Sequence, residues 1–362
     1  MAQIPGLLHT PIEDIPHASA EGRDIEMVSF GLKKYTVPDS HRYGKCRLIS
    51  EFERISLIGE GAYGTIYKVK ELKTGDIYAL KKLRIETKNE CLSKNFIREI
   101  NILKSLHHDN IINQHGIAVG RNFESTYIIL EYCPYELTKV LEDSEACSLL
   151  DQSQIKNIMQ QLFTGLDYMH RHFILHRDLT PTNILFSSTA ILKISDFGES
   201  RSFKADETEE KTPNKVTRWY RSPELLFGTK RYSCSIDTWS AACIFGELLL
   251  KKPLFPGDSD NDMIALIVQM LGTPNESIWP GMSSLPVMQN YELCAQPYNR
   301  LRSHFEGQPN TCIALLHKLF LYNPKTRFTA AECLAHSYFT EDQPTACDLT
   351  TLLITLKRAD EI

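Results

Sequence analysis

A chain of 362 residues fits one or two domains at the usual size of about 150 residues each, and 42% hydrophobic with 23% charged residues suffices for sizeable buried cores. The net charge of −5 lacks the basic excess of a dedicated nucleic-acid binder. Ten cysteines occur without a C-x-x-C pair, which argues against a disulfide framework or zinc site and for a reducing compartment. The longest apolar runs, around 241–250 and 263–271, are too short to span a bilayer, and the polar, acidic start is unlike a targeting peptide. Nucleus and cytoplasm are the expected locations, with no membrane and no direct nucleic-acid contact.

Residues 1–30 mix Pro, His, Gly and charge without periodicity and read as a flexible extension. Tyr35–Arg47 is a basic, turn-rich leader whose residue types alone suit a solvated segment. From Phe52 two strand-like stretches flank Gly59, Gly61 and Gly64, spaced G-x-G-x-x-G. A dinucleotide-binding turn shares that spacing but opens a helix. Here Thr65–Lys70 continues as a strand, so the context decides against a dinucleotide site. Ile77, Ala79 and Lys81 alternate onto one face of the next strand. Phe96, Ile100 and Leu103 keep helical spacing over 95–106 and put Glu99 on the inward side, where an unpaired carboxylate is costly. A Lys81–Glu99 ion pair satisfies both groups. Tyr127–Cys133 is an apolar strand, and Ile155–His170 is a buried helix.

The densest stretch is His176–Gly198. Ile184–Phe186 and Ile191–Ile194 flank Ser187-Ser188-Thr189 and predict a tight hairpin that brings Asn183 and Asp196 to one end. A hard divalent cation takes a few oxygen ligands and shares the rest with substrate phosphates, chemistry that Asn183 and Asp196 supply. Asp178 is then left to orient or accept a hydroxyl proton. Beyond it come an acidic loop at 206–211, Thr212-Pro213, and Val216–Glu224. Asp237 is expected to cap the apolar helix it opens, and 340–362 reads as a mixed polar tail with one short helix at its end.

This ordered set (G-x-G-x-x-G between strands, Lys81, H-R-D at 176–178, Asn183, D-F-G at 196–198 and W-Y-R-S-P-E at 219–224) resembles the eukaryotic protein kinases. The resemblance implies an α+β, bilobal fold. A kinase domain at 51–339, split into a β-rich N-lobe at 52–133 and a helical C-lobe at 134–339, would lie between an N-terminal extension (1–50) and a C-terminal tail (340–362). ATP and Mg²⁺ would sit between the lobes. It further implies that Asp178 is the catalytic base and that Lys81 holds phosphate and pairs with Glu99. Asn183 and Asp196 are the implied metal ligands. Implied ATP contacts are Ile58, Gly59, Glu60, Gly61, Ala62, Tyr63, Gly64, Thr65, Ile66, Ala79, Leu130, Glu131, Cys133, Glu136 and Leu185. Asp237 would hold the catalytic loop's backbone, and Arg327 would pair with Glu224.

Thr212 occupies the activating phosphosite of cyclin-dependent and mitogen-activated kinases, with Arg98, Arg177 and Arg201 matching the trio that receives its phosphate. Val216 and Arg221 match residues that shape a pocket for proline after the target Ser/Thr, and Thr217 one that braces the catalytic Asp. Tyr63 matches an inhibitory phosphosite, while Ala62 replaces its usual threonine neighbour. The leader motifs Tyr35-Thr36-Val37-Pro38 and Cys46-Arg47, with Leu271–Glu276, resemble one branch of the cyclin-dependent kinases. That branch implies a cyclin of the M (or Q) type as partner, an activating kinase acting on Thr212, and Ser/Thr-Pro protein substrates in cell-cycle or transcription regulation.

The chain departs from the pattern at three places. Thr180 stands where the family usually has a lysine on the γ-phosphate, Glu199-Ser200 replaces Leu-Ala after D-F-G, and Ser93–Glu99 keeps only the Arg-Glu of the P-I-S-S-L-R-E helix. A weakly active or inactive kinase-fold scaffold that binds a cyclin is therefore the alternative. A metabolite kinase is disfavoured because it has no use for W-Y-R-S-P-E.

Overall fold

The computed structural model describes residues 25–28, 34–37, 46–61, 64–82, 94–120, 125–203, 218–289, 291–340 and 346–360. They fall into two compact units. One takes the chain up to Ile97 together with Asn113–Tyr132, and the other takes Arg98–Ile112 and everything from Cys133 onward.

The first unit is a sheet of six strands: β3 (Cys46–Leu48), β4 (Phe52–Gly61), β5 (Gly64–Glu71), β6 (Ile77–Lys82), β7 (Gln114–Val119) and β8 (Thr126–Glu131), in the order β3-β7-β8-β6-β5-β4. Alternation along each strand divides the side chains between two faces. Val69, Leu80, Tyr127 and Ile129 go to one side and form a core with Phe52 and Ala118. The leader is more structured than its composition suggests. Ile25–Val28 (β1), within the stretch expected to be flexible, pairs antiparallel with Lys34–Val37 (β2). β3 pairs in parallel with β7. Arg47 fastens it, lying 3.0 Å from Glu51, bonding Glu71 and stacking 4.4 Å from the centre of the Phe52 ring.

In the second unit, α1 (Lys94–Ser105) continues across the boundary from the first. The short strand β9 (Tyr135–Glu136) leads into α2 (Leu137–Glu142), α3 (Ser144–Leu149) and α4 (Gln152–Arg171). Asp151 starts α4 by accepting from the Ser153 and Gln154 amides at 2.7 and 3.1 Å, while the Gln154 side chain bonds back to the Asp151 amide. Ile155, Ile158, Met159, Leu162, Phe163, Leu166 and Met169 are buried at helical spacing; each such side chain contributes roughly 1.5–3 kcal/mol. Gly165 lets this helix approach β12 (Leu192–Ile194). A Cβ there would lie 2.8 Å from the Ile194 side chain and 3.1 Å from the Asn110 carbonyl.

Two more short strands, β10 (Ile174–Leu175) and β11 (Ile184–Phe186), precede β12, and β13 (Arg201–Ser202) pairs back with β10. The remaining helices are α5 (Pro223–Leu226), α6 (Ser235–Leu250), α7 (Asp260–Leu271), α8 (Leu301–His304), α9 (Asn310–Leu319), α10 (Ala330–Leu334), α11 (Ser337–Thr340) and α12 (Thr350–Asp360). α6 is buried on nearly every side, and its polar members Asp237, Thr238 and Glu247 are buried along with the apolar ones. No helix among the described residues is long and apolar enough to cross a membrane.

Two sequence expectations change here. Asp237 does not cap α6: the helix begins at Ser235 with Cys234 as N-cap, and the Asp237 carboxylate is used elsewhere. The short helix expected at the C-terminal end forms as α12, but the segment is not simply polar. α12 buries Leu352, Leu353 and Leu356 and packs on α3 and α2, and the Cys347 carbonyl ahead of it accepts from Asn157 at 2.6 Å.

Candidate active site

In the first unit, cross-strand register gathers the expected nucleotide contacts on the face opposite the core. Lys81 lies between Ile66 and Ile128, Ala79 beside Leu130, and Gly59 opposite Ile66. Thr65 pairs with Glu60 and Gly64 with Gly61 at the end of β4, close to Ile58. Gly64 has φ +138°, and a Cβ there would lie 2.6 Å from the Lys82 carbonyl, so only glycine fits this turn. Glu131 ends β8, and its carboxylate accepts from the Asn113 amide. Ala62 and Tyr63 lie outside the described residues. Lys81 is 6% exposed and belongs to the first unit; Glu99 is 4% exposed and belongs to the second.

In the second unit the predicted hairpin forms. Ile184 faces Ile194 and Phe186 faces Leu192, so Asn183 and Ser195 meet at its base. The Ser195 amide and hydroxyl both donate to the Asn183 carbonyl, at 2.9 and 3.0 Å. Leu185 and Glu136 are cross-strand neighbours, which places two expected ATP contacts side by side. Cys133 is partly buried at the start of this segment.

The Asn183 amide nitrogen donates to the Asp178 carbonyl at 2.7 Å and lies 3.4 Å from its carboxylate, so the amide oxygen is the atom available to a ligand. Asp196, one residue past Ser195, has φ +60°, a left-handed conformation that costs a non-glycine residue about 1–2 kcal/mol. An amide and a carboxylate at one hairpin end are the hard oxygen donors that Mg²⁺ prefers. Two donors are fewer than such a cation's shell requires. The donor set therefore fits a cation that completes its shell on substrate phosphates.

Asp178 is 6% exposed. Burial, then the negative charges of Asp196 and Glu199, push its carboxyl up to about 7, against the opposing effects of Asn183 and Arg177. Its backbone is positioned by a residue that motif reading left without a role. His176 is fully buried, its Nε2–H donates to the Ser195 carbonyl at 2.8 Å, and its Nδ1 accepts from the Asp178 amide at 3.3 Å. Burial holds this imidazole below its ordinary pKa, consistent with the neutral tautomer the two bonds require. Asp237 completes the brace by accepting from the His176 and Arg177 amides at 2.9 and 2.8 Å.

Thr180 is buried two residues beyond Asp178, in a hollow also lined by Thr182, Trp219 and Glu247. Glu247 accepts a 2.6 Å hydrogen bond from the Tyr220 hydroxyl, a pairing the sequence did not reveal. Arg221 is held by Asp260 at 3.1 Å. Arg98, Arg177 and Arg201 lie within electrostatic reach of one another, and burial followed by the other two guanidiniums lowers Arg201 to about 10. Arg177 and Arg201 both donate to the Glu199 carbonyl, at 3.1 and 3.2 Å. Thr212, Val216 and Thr217 lie outside the described residues. The Arg327–Glu224 pair forms as two hydrogen bonds of 2.7 and 2.8 Å.

Comparison with known proteins agrees with this arrangement. Residues 52–339 match the protein kinase domain family. The chain is 43% identical over 314 residues to cyclin-dependent kinase 10 of Homo sapiens, covering 87% of this chain and 86% of that protein. It is 41% identical over 297 residues to human cyclin-dependent kinase 11A, covering 82% of this chain and 38% of the relative. For cyclin-dependent kinase G-2 of Oryza sativa the identity is 42% over 304 residues, with 82% and 42% covered. Together with the buried aspartate, the two-oxygen hairpin end and the glycine turn, these similarities identify the chain as a member of the protein kinase family, of the cyclin-dependent kinase type, and an ATP-dependent serine/threonine protein kinase.

Proposed function

We propose that the chain transfers the ATP γ-phosphate to Ser or Thr followed by Pro in protein substrates, under control of a cyclin of the M (Q) type and of an activating kinase that phosphorylates Thr212. Cell-cycle or transcription regulation, in the nucleus and cytoplasm, is the setting this implies. The arrangement that carries the reading is Asp178, Asn183 and Asp196 at one hairpin base, with the acceptor-side acid linked by hydrogen bond to the ligand-bearing amide. Mg²⁺, when bound at Asn183 and Asp196, would neutralise charge on the ATP phosphates. Asp178 orients and deprotonates the substrate hydroxyl. Arg221, with Val216, is assigned to the proline-accepting pocket.

The test is phosphorylation of paired peptides by the purified chain with cyclin and ATP–Mg²⁺. A Ser-Pro peptide is expected to be modified, and its Ser-Ala counterpart at least roughly tenfold more slowly. Equal rates would remove proline selection from the proposal.

Thr180 favours the second reading, a scaffold with little turnover. A threonine hydroxyl brings one hydrogen bond but no positive charge to a transition state stabilised mainly by electrostatics. Loss of such a contact costs about 2–4 kcal/mol, or roughly two to three decades in rate. Thr180→Lys is therefore expected to raise the phosphotransfer rate by up to roughly 100- to 1,000-fold, read by single-turnover phosphorylation. No gain, together with no turnover above an Asp178→Asn control while nucleotide still binds, would favour the scaffold.

A further inference from the structure

A guanidinium at the end of a long side chain selects little until its orientation is fixed, and a carboxylate is the partner that fixes it. Arg221 donates through Nη1 to Asp260 Oδ1 at 3.1 Å. The Arg221 side chain is mostly buried, whereas Asp260 stands half-exposed at the first position of α7. The seat of that carboxylate is firm. Ser259 accepts from the Asp262 amide at 3.1 Å, and the Asp262 carboxylate accepts from the Ser259 amide at 3.0 Å, which closes the start of the helix. A negative charge at a helix N-terminus is also favoured by the helix dipole. Arg218 reaches the same Asp260 oxygen through Nε at 3.2 Å and is held separately by the Asp258 carbonyl at 3.1 Å. One oxygen thus receives two guanidiniums from the 218–221 turn.

We propose that Asp260 is a positioning residue for proline selection: its carboxylate reaches from the start of α7 to fix the Arg221 guanidinium, so that the 218–221 turn and α7 act as one specificity element. This rests on the reading of Arg221 as part of the proline-accepting pocket. Arg218 shares the oxygen from a half-exposed position and holds a second anchor of its own, so it is a competitor for Asp260 and not a second selector.

Phosphorylation of the paired Ser-Pro and Ser-Ala peptides is measured for the full chain with cyclin and for its Asp260→Asn, Asp260→Glu and Arg218→Leu variants, with kcat and KM resolved. All three variants keep the Ser259–Asp262 cap, so α7 retains its start. Asp260→Asn is expected to reduce the kcat/KM preference for Ser-Pro by roughly fivefold, through KM for that peptide, with the Ser-Ala rate within about twofold of wild type. Asp260→Glu keeps the charge and should restore most of the preference, and Arg218→Leu should leave it intact. An unchanged preference in Asp260→Asn, an equal loss on both peptides, or a loss in Arg218→Leu as large as in Asp260→Asn overturns the role. Where turnover is too slow to follow, the Kd of the same two peptides by fluorescence anisotropy is read instead, with the same ratios expected and the same results overturning the role. A wild type that does not distinguish the peptides removes the proline-accepting pocket and this role together, whereas a selective wild type matched by Asp260→Asn removes this role alone.

Discussion

Asp178→Asn should lower phosphotransfer by roughly 10³-fold while leaving nucleotide binding within about twofold of wild type. The substitution keeps the shape of the side chain and an acceptor for Asn183, whose amide nitrogen lies 2.7 Å from the Asp178 carbonyl and 3.4 Å from its carboxylate. It removes only the capacity to take a proton. The same variant should be more stable than wild type, and the size of that gain should depend on pH. Asp178 is pushed up to about 7 in the fold, first by burial and then by Asp196 and Glu199. Between the ordinary aspartate range and about pH 7 the folded chain thus holds a proton that the unfolded chain has released. Wild-type stability consequently falls as pH rises through that window, by at most about 4 kcal/mol, and Asp178→Asn escapes the loss. Denaturant unfolding at pH 5 and pH 8 reads it: the advantage of the variant should be larger at pH 8. Equal stability at both values would mean that Asp178 is not held in a costly charged state.

Catalysis should follow the opposite sense, since the base works only when ionised. kcat/KM is expected to rise with pH up to the Asp178 titration and then level. A cation on Asp196 offsets one of the negative neighbours and moves that rise to lower pH, as does Glu199→Gln.

What the sequence made legible is what short-range chemistry dictates. Small polar residues between Phe186 and Ile191 close the hairpin, so the meeting of Asn183 with the residues before Asp196 followed from local pattern alone. Gly64 was readable as a turn glycine, although only the approach of the Lys82 carbonyl shows why a side chain there is excluded. Long-range partners were not readable from periodicity. Nothing in the residues near Asp237 says that its carboxylate serves two amides some 60 positions earlier in place of its own helix end. The burial of α12 was hidden for a similar reason. Leu349, Leu352, Leu353 and Leu356 are interrupted by threonines, and their value depends on surfaces of α2 and α3 roughly 200 residues away. His176 is a further case. In the motif it is one letter, yet in the fold it couples the Asp178 loop to the strand that leads into Asp196.

Arg327→Ala is expected to destabilise the second unit by about 3–5 kcal/mol, lowering its thermal midpoint by roughly 10 °C. The side chains of Arg327 and Glu224 are 0% and 2% exposed, so neither charge reaches solvent. They meet through two parallel hydrogen bonds, and the guanidinium also donates to the carbonyls of Ser235 and Leu321 while lying 4.9 Å from the centre of the Trp239 ring. Removing the arginine leaves a buried carboxylate whose other described donor is the Ser235 hydroxyl at 3.2 Å. It also strands carbonyls at the start of α6 and ahead of α10. Glu224→Gln should cost nearly as much, because it leaves a buried cation facing a neutral amide. The double variant Glu224→Gln with Arg327→Met should be less damaging than the sum of the single changes by at least about 1 kcal/mol, since no uncompensated charge then remains. The consequence reaches function through geometry: Glu224 opens α5 directly after W-Y-R-S-P, and Arg327 ties that segment to the first turn of α6, where Asp237 holds the backbone of the Asp178 loop. A melting point within about 2 °C of wild type for Arg327→Ala would show that this pair does not anchor the segment.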